Sequence, residues 1–301
     1  MTPLADIDIK VLHVFCVIVE SGGFGAAQVK LNISQSMISK QISHLETRLG
    51  MRLCNRGRRG FSLTDNGKIV YTAAKKLFDS MEDFRTEVSA QAGQLVGEIR
   101  IGINDNSASN PNNHLPETIA ALKSRANEVR LDIRSGSNID LESWLIEGSI
   151  HLAIGYFYHR LPSIEYQPLF DEVGSLYCGH RHPLFNVDDE SEIRTMLATA
   201  DFVGLHALQG DVKDMGITLN QTNITEDVDA HLLFVLSGNY VAYLPHHIAL
   251  PLVEKGLVRP LLPEVTQQVA VFQLATLRGK EMPNIANVFI DELWANHSSY
   301  R

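Results

Sequence analysis

The chain is sparing with cysteine, with aromatic residues and with positive charge. Its 301 residues hold three cysteines, Cys16, Cys54 and Cys178, far apart and without a CxxC pair. That argues against a disulfide scaffold or a zinc ribbon and fits a reducing cytoplasm. No apolar run approaches the roughly 20 residues needed to span a bilayer. The first residues lack the charged, then greasy, layout of a signal peptide, so a cytoplasmic location with no membrane partner is expected. GxSxG, P-loop and HExxH motifs are all missing, which leaves an enzyme reading without a constellation and names no cofactor. The net charge of −9 speaks, taken whole, against a polyanion partner.

What is present reverses that inference, because the charge is divided. Residues 1–94 hold 12 Lys+Arg and 9 Asp+Glu, leaving 14 and 26 for the remainder. A basic head on an acidic body is expected when one end meets nucleic acid. The apolar fraction of 45% suits a globular chain, and the length suits two or three domains.

The head reads as three helices and a hairpin. Val11, Leu12, Val14, Phe15, Ile18 and Val19 give one apolar helical face, which Ser21-Gly22-Gly23 ends. Phe24, Ala27 and Leu31 face inward on a second helix. Ser34 is a good N-cap for a third helix from about Gln35 to Leu49, with Ile38, Ile42, Leu45 and Leu49 as its buried stripe and Gly50 as its stop. Its other face presents Gln35, Ser36, Ser39, Lys40, Ser43 and Arg48. Such hydrogen-bonding groups can read base edges in a major groove, although a solvated helix face has the same composition. Met51 to Cys54 and Phe61 to Leu63 read as two short strands around a basic loop, Asn55 to Gly60. Arg52, Arg56, Arg58 and Arg59 on this wing would contact the DNA backbone or minor groove.

Residues from Asp8 to about Leu77 resemble the N-terminal domain of LysR-type transcriptional regulators. The resemblance is carried by Phe15, Phe24, Ala26-Ala27, Leu31, Ser34-Gln35-Ser36, Ser39, Ile42, Leu45-Glu46, Leu49-Gly50, Leu53, Arg56, Leu63-Thr64 and Gly67. Cys54 departs from it, standing where the family usually has Phe, as does Gly23 where Ser is common. The spacing also predicts a helix from Thr64-Asp65 to about Gln94. On it Val70, Leu77 and Phe84 recur every seven residues, offset from Ala74, Met81, Val88 and Leu95. That is a heptad seam, expected to pair with a second copy. The resemblance implies the same: a homodimer, in a homotetramer, on double-stranded DNA with dyad-related half-sites, with RNA polymerase a further partner open to it.

Beyond residue 97 strands and helices alternate, which suggests parallel sheets with ligands at strand C-terminal ends. Strands are expected at 97–104, 129–135, 150–156, 201–205, 239–244 and 268–277. Helices are expected at 115–126, 139–147, 225–236 and 283–296. Residues 164–180 read as two extended segments, and His246-His247 as a polar turn. Cys178, His180 and His182 alternate and could face one way toward a metal, but no fourth ligand is evident.

The fold expected is α/β overall: a winged helix-turn-helix (1–65), a linker helix (66–94) and a two-lobed effector domain (95–301). The resemblance implies that this domain is periplasmic-binding-protein-like, with lobes at 95–165 plus 267–301 and at 166–266. It also implies a small-molecule effector between the lobes. Asn104, Asp105, Asn106, Ser107, Ser137, Asn138, Tyr156, Gly204, His206, Thr225 and Asp227 are the candidates to touch it. Asp105 and Asp227 disfavour a strongly anionic effector unless His206 or backbone amides offset them. The function expected is a sequence-specific, effector-modulated DNA-binding regulator. The rival is a solute-binding or metabolic α/β protein with an appended helical head.

Overall fold

A computed structural model describes residues 6–57, 60–91, 95–204, 216–225 and 227–297. The chain divides into two compact units, Met1–Arg85 and Thr86–Arg301.

In the first unit, α1 (Asp6–Glu20), α2 (Phe24–Leu31) and α3 (Gln35–Leu49) close on one core. Phe15, Ile18, Ala27, Ile38, Ile42, Leu45 and Leu53 are all buried there. The breaks between helices are chemically specified. Gly22 takes φ +73°, and the N–H groups of Gly22 and Gly23 cap the carbonyls of Val19 and Ile18 at 3.0 and 2.9 Å. The Ser34 hydroxyl accepts from Met37 N–H at 3.3 Å, and Gly50 at φ +69° closes α3.

The wing departs from the sequence expectation. Its strands are β1 (Cys54–Gly57) and β2 (Gly60–Leu63), paired antiparallel with Cys54 opposite Leu63 and Arg56 opposite Phe61. The expected first strand, 51–54, is thus displaced forward into the expected loop. The reason lies in prior commitments of the backbone. Glu46 Oε1 accepts from Leu53 and Cys54 N–H at 2.8 and 3.2 Å, and Thr64 binds the carbonyls of Leu53 and Arg52. Arg48 is a second correction. Its guanidinium grips buried Asp8 of α1 at 2.6 and 2.7 Å, so it braces the head instead of joining the outward face.

The long helix α4 (Asp65–Gln91) is where expected, but its heptad series splits. Val70, Ala74 and Leu77 pack into the head's own core, with Ala74 only 3% exposed. Met81, Phe84 and Val88 are 47, 68 and 53% exposed, while Leu95 packs on the core of the second unit. The stripe on α4 therefore meets two environments, and Leu95 lies beyond the end of the helix.

In the second unit, β3 (Glu98–Ile103), α5 (Leu115–Arg125), β4 (Arg130–Ser135), α6 (Asn138–Glu147) and β5 (Leu152–Gly155) alternate. β3 lies parallel to both β4 and β5. The next strand, β6 (Ile164–Gly179), is one continuous element of 16 residues, not two segments. It places Leu169 and Phe170 in one core and Leu176 and Cys178 in another. After a 3-10 turn come α7 (Glu190–Leu197), β7 (Asp201–Gly204), β8 (Asn220–Ile224), α8 (Val228–Ser237) and β9 (Tyr240–Pro245). β7 is parallel to β8 and β9. α9 (His246–Glu254), β10 (Val258–Pro260) and α10 (Pro263–Thr266) precede the returning β11 (Gln268–Leu277) and the final α11 (Asn284–Asn296). β11 runs antiparallel to β6 from Gln268 opposite Gly174 to Leu277 opposite Ile164, and also pairs with β5. Two parallel lobes thus share two long antiparallel strands. His246 and His247 open α9 and do not form a polar turn; Pro245 ends β9 and is the N-cap of this helix, which the sequence reading did not place.

The Cys178, His180, His182 series is structural. Cys178 is fully buried, and burial pushes its thiol up to about 12. His180 is exposed, while His182 Nδ1 accepts Leu184 N–H at 3.1 Å. Among the described residues no group of three potential ligands could hold a metal, and no helix is long and apolar enough to cross a membrane.

Candidate functional sites: the α3 face and the interlobe cleft

The outward face of α3 is open. Ser34, Gln35, Ser36, Lys40 and Ser43 are exposed, and Ser39 is half-buried. The Ser34 and Ser36 hydroxyls lie 3.0 Å apart at the helix N-terminus, where free N–H groups favour an anion. Met37, His44 and Thr47 are exposed as well. The polar-face pattern passed over Met37 because a methionine reads as core. Arg52 is exposed just before β1, and Arg56 stands in β1; Arg58 and Arg59 lie outside the described residues.

The second unit holds a cavity of about 400 Å³ between its lobes. Asn104, at the end of β3, organises one wall. Its Oδ1 accepts Tyr156 N–H at 2.8 Å, and its Nδ2 donates to Gly136 O and Asn138 Oδ1 at 3.2 and 3.0 Å. One side chain thereby joins the ends of β3, β4, β5 and α6. A side chain at Gly155 would collide with it, which explains that glycine. Ser137 caps α6 in a reciprocal box with Asp140, leaving the first-turn amides beside the cavity.

Asp105 crosses to the other lobe. Its Oδ2 accepts Val228 N–H at 3.2 Å, at the start of α8, and Asn106 Nδ2 at 3.1 Å. Burial holds its carboxyl above the usual range; Asp227 and Asp229 push the same way, and the Val228 amide opposes them. Asp227 Oδ1 caps α8 through Ala230 N–H at 2.9 Å. Tyr156 has the Tyr158 and Phe272 rings 6.4 and 6.5 Å away, and all three line the cavity.

Asn104, Asp105, Asn106, Ser137, Asn138, Tyr156, Thr225 and Asp227 all line this space. Ser107 does not: it is buried, with its hydroxyl donating to Asn104 O at 2.8 Å. Gly204 is buried in β7, its carbonyl accepting Thr225 N–H at 3.1 Å, and also stays outside the lining. His206 lies outside the described residues. Sequence reasoning missed Ser135, Gly136, Tyr158, Glu172, Val228, Pro245 and Phe272, which line the cavity too. Glu172 stands in β6 directly beside a second acid, Asp171, so charge in the sequence did not single it out.

Glu172 joins a cross-lobe network. Its Oε1 accepts from Asn110 Nδ2 at 3.1 Å and from His247 Nε2 at 2.9 Å, while His247 Nδ1 lies 2.9 Å from the Ser109 hydroxyl.

Two family descriptions match the chain: "Bacterial regulatory helix-turn-helix protein, lysR family" over residues 9–68 and "LysR substrate binding domain" over residues 92–298. The chain belongs to the LysR family of transcriptional regulators. It is 36% identical over 283 residues to the HTH-type transcriptional activator BauR of Pseudomonas aeruginosa, covering 94% of this chain and 92% of that one. Its fold is similar to the crystal structure of CbnR, a LysR family regulator, with a TM-score of 0.68 at 18% identity, covering 96% and 99% of the two chains. Full-length CbnR bound to its target DNA has a TM-score of 0.67 at 20% identity, with the same coverage. This LysR-type chain is therefore a transcriptional regulator and not an enzyme, with a helix-turn-helix head and a substrate-binding domain for a small molecule. The rival reading, a solute-binding or metabolic protein, is set aside.

Proposed function

We propose that this regulator binds double-stranded DNA as a homo-oligomer on dyad-related half-sites and is switched by a small molecule held between the lobes. Ser34, Gln35, Ser36, Ser39 and Lys40 enter the major groove. Arg52, Arg56, Arg58 and Arg59 hold the backbone or the minor groove beside it. The observation that carries this reading is the exposed, hydrogen-bonding face of α3, anchored by buried Ile38, Ile42 and Leu45 and started by the Ser34 cap. The exposed Met81, Phe84 and Val88 on α4 support self-association. The effector contacts Asn104, Asp105, Asn106, Ser137, Asn138, Tyr156, Thr225 and Asp227, and changes the relative populations of lobe arrangements.

Binding to random-sequence duplex and selection from a random pool separate the roles on the DNA side. Lys40→Ala weakens binding to all duplexes and lowers the salt slope by about 1. Gln35→Ala changes the selected motif, with a cost of about 1–3 kcal/mol at one position. Wild-type motif and slope in both variants would remove α3 from the DNA interface.

A further inference from the structure

We propose that the effector carries a protonated amine, seated between Asp105 and Asp227 beside the Tyr156 and Tyr158 rings. This rests on the reading of the interlobe cavity as the effector site. The substrate-binding domain and its cavity define the site; its carboxylates fix the class of ligand.

The described lining includes Asp105, Glu172 and Asp227, and neither lysine nor arginine. Glu172 is already engaged by His247 and Asn110. Asp105 and Asp227 receive only neutral N–H donors, from Val228 and Asn106 and from Ala230, and no cation among the described residues pairs with either. An anionic ligand would add a third like charge to this pair. An ammonium group neutralises it and brings charge-assisted hydrogen bonds. The raised Asp105 carboxyl agrees with a site short of positive charge. Tyr156 and Tyr158 supply the aromatic surface that ammonium ligands favour. Ser135, Asn138 and the first amides of α6 offer neutral donors for a second polar end. The cavity volume of about 400 Å³ suits a small metabolite.

The test uses the full chain and three four-carbon probes that differ only in their end groups: putrescine, 4-aminobutyrate and succinate. Calorimetric titration and melting temperature are the readouts. At least one amine probe is expected to bind saturably and raise the melting temperature, with affinity falling about tenfold or more in Asp105→Asn or Asp227→Asn. Putrescine and 4-aminobutyrate together distinguish a simple amine from an amino acid. Ligand-free melting of each variant reports its folding. Binding of succinate alone, binding of no amine probe, or amine affinity unchanged in both variants overturns the proposal. Ser135→Trp, which fills the cavity from the end of β4, separates this from failure of the underlying reading. If succinate binds and this variant abolishes it, the cleft stands and the ligand class falls. If a bound probe ignores it, the cleft itself is not the effector site.

Discussion

Nε2 of His247 lies 2.9 Å from Oε1 of Glu172, and the opposite ring nitrogen lies 2.9 Å from the Ser109 hydroxyl. With Nε2–H donating to the carboxylate, Nδ1 accepts from the serine, so the neutral ring satisfies both partners. This one imidazole ties α9 to β6 and to the turn that follows β3, across the cleft. Glu172 also lines the cavity, so the clasp forms part of the cavity wall.

His247→Ala leaves the largely buried Glu172 carboxylate with Asn110 as its remaining side-chain donor. The expected cost is about 1–3 kcal/mol, the penalty for removing one partner of a buried polar pair. Urea denaturation of the full chain reads it as a lower midpoint. An unchanged midpoint would mean that the clasp adds nothing to stability.

The divided stripe on α4 makes a paired prediction. Phe84→Asp places a charge on an exposed seam and is expected to dissociate the oligomer while leaving helicity and head stability intact. Leu77→Asp places the same charge against the head's core, where Leu77 is half-buried, and is expected to destabilise the head by about 1–3 kcal/mol. Sedimentation and circular dichroism distinguish them. Dissociation by Leu77→Asp with head stability unchanged would reverse the assignment of the two halves.

The head was more legible than the body because its signals are local. A Ser34 cap, a Gly50 stop and a stripe at Ile38, Ile42 and Leu45 specify α3 without reference to anything distant. The wing was misplaced because its register depends on Glu46, a side chain seven residues from Leu53 that claims the strand's amides. Heptad spacing on α4 was real, but periodicity gives a stripe and not its partner. In the body, most cavity residues were found because polar groups at strand ends and helix starts mark such clefts. Glu172 and Phe272 escaped, since only the pairing of β6 with β11 brings mid-strand residues to the cavity. The histidines of α9 read as a turn because their partners, Ser175 and Glu172, lie more than seventy residues away.

Four histidines of the second unit predict acid sensitivity. Burial pulls His182, His231, His246 and His297 below the ordinary value of 6.5. For a base with a depressed folded value, the unfolded chain takes up protons first. Stability is therefore full above about 6.5 and is lost as pH falls toward and through the folded values. The melting temperature should drop by several degrees from about pH 7 to about pH 5. A rise over that interval would contradict the burial argument.

Asp105 has the opposite sign. Its folded carboxyl titrates above 3.8, so the folded state holds the proton more tightly than the unfolded chain. Its contribution is favourable below the unfolded value and is lost as pH rises through the folded one; at neutral pH the ionised group is a cost. Asp105→Asn keeps an oxygen to accept Val228 N–H while removing that charge. The expected result is a gain on the order of 0.5 kcal/mol at neutral pH, small because the group is part-exposed and screened, and vanishing in acid. Denaturation at both pH values measures it. The charge that carries this cost is the one an ammonium ligand would use. The variant should therefore be the more stable protein without ligand and the less responsive one with it; a loss of stability at neutral pH would show that the carboxylate serves the fold instead.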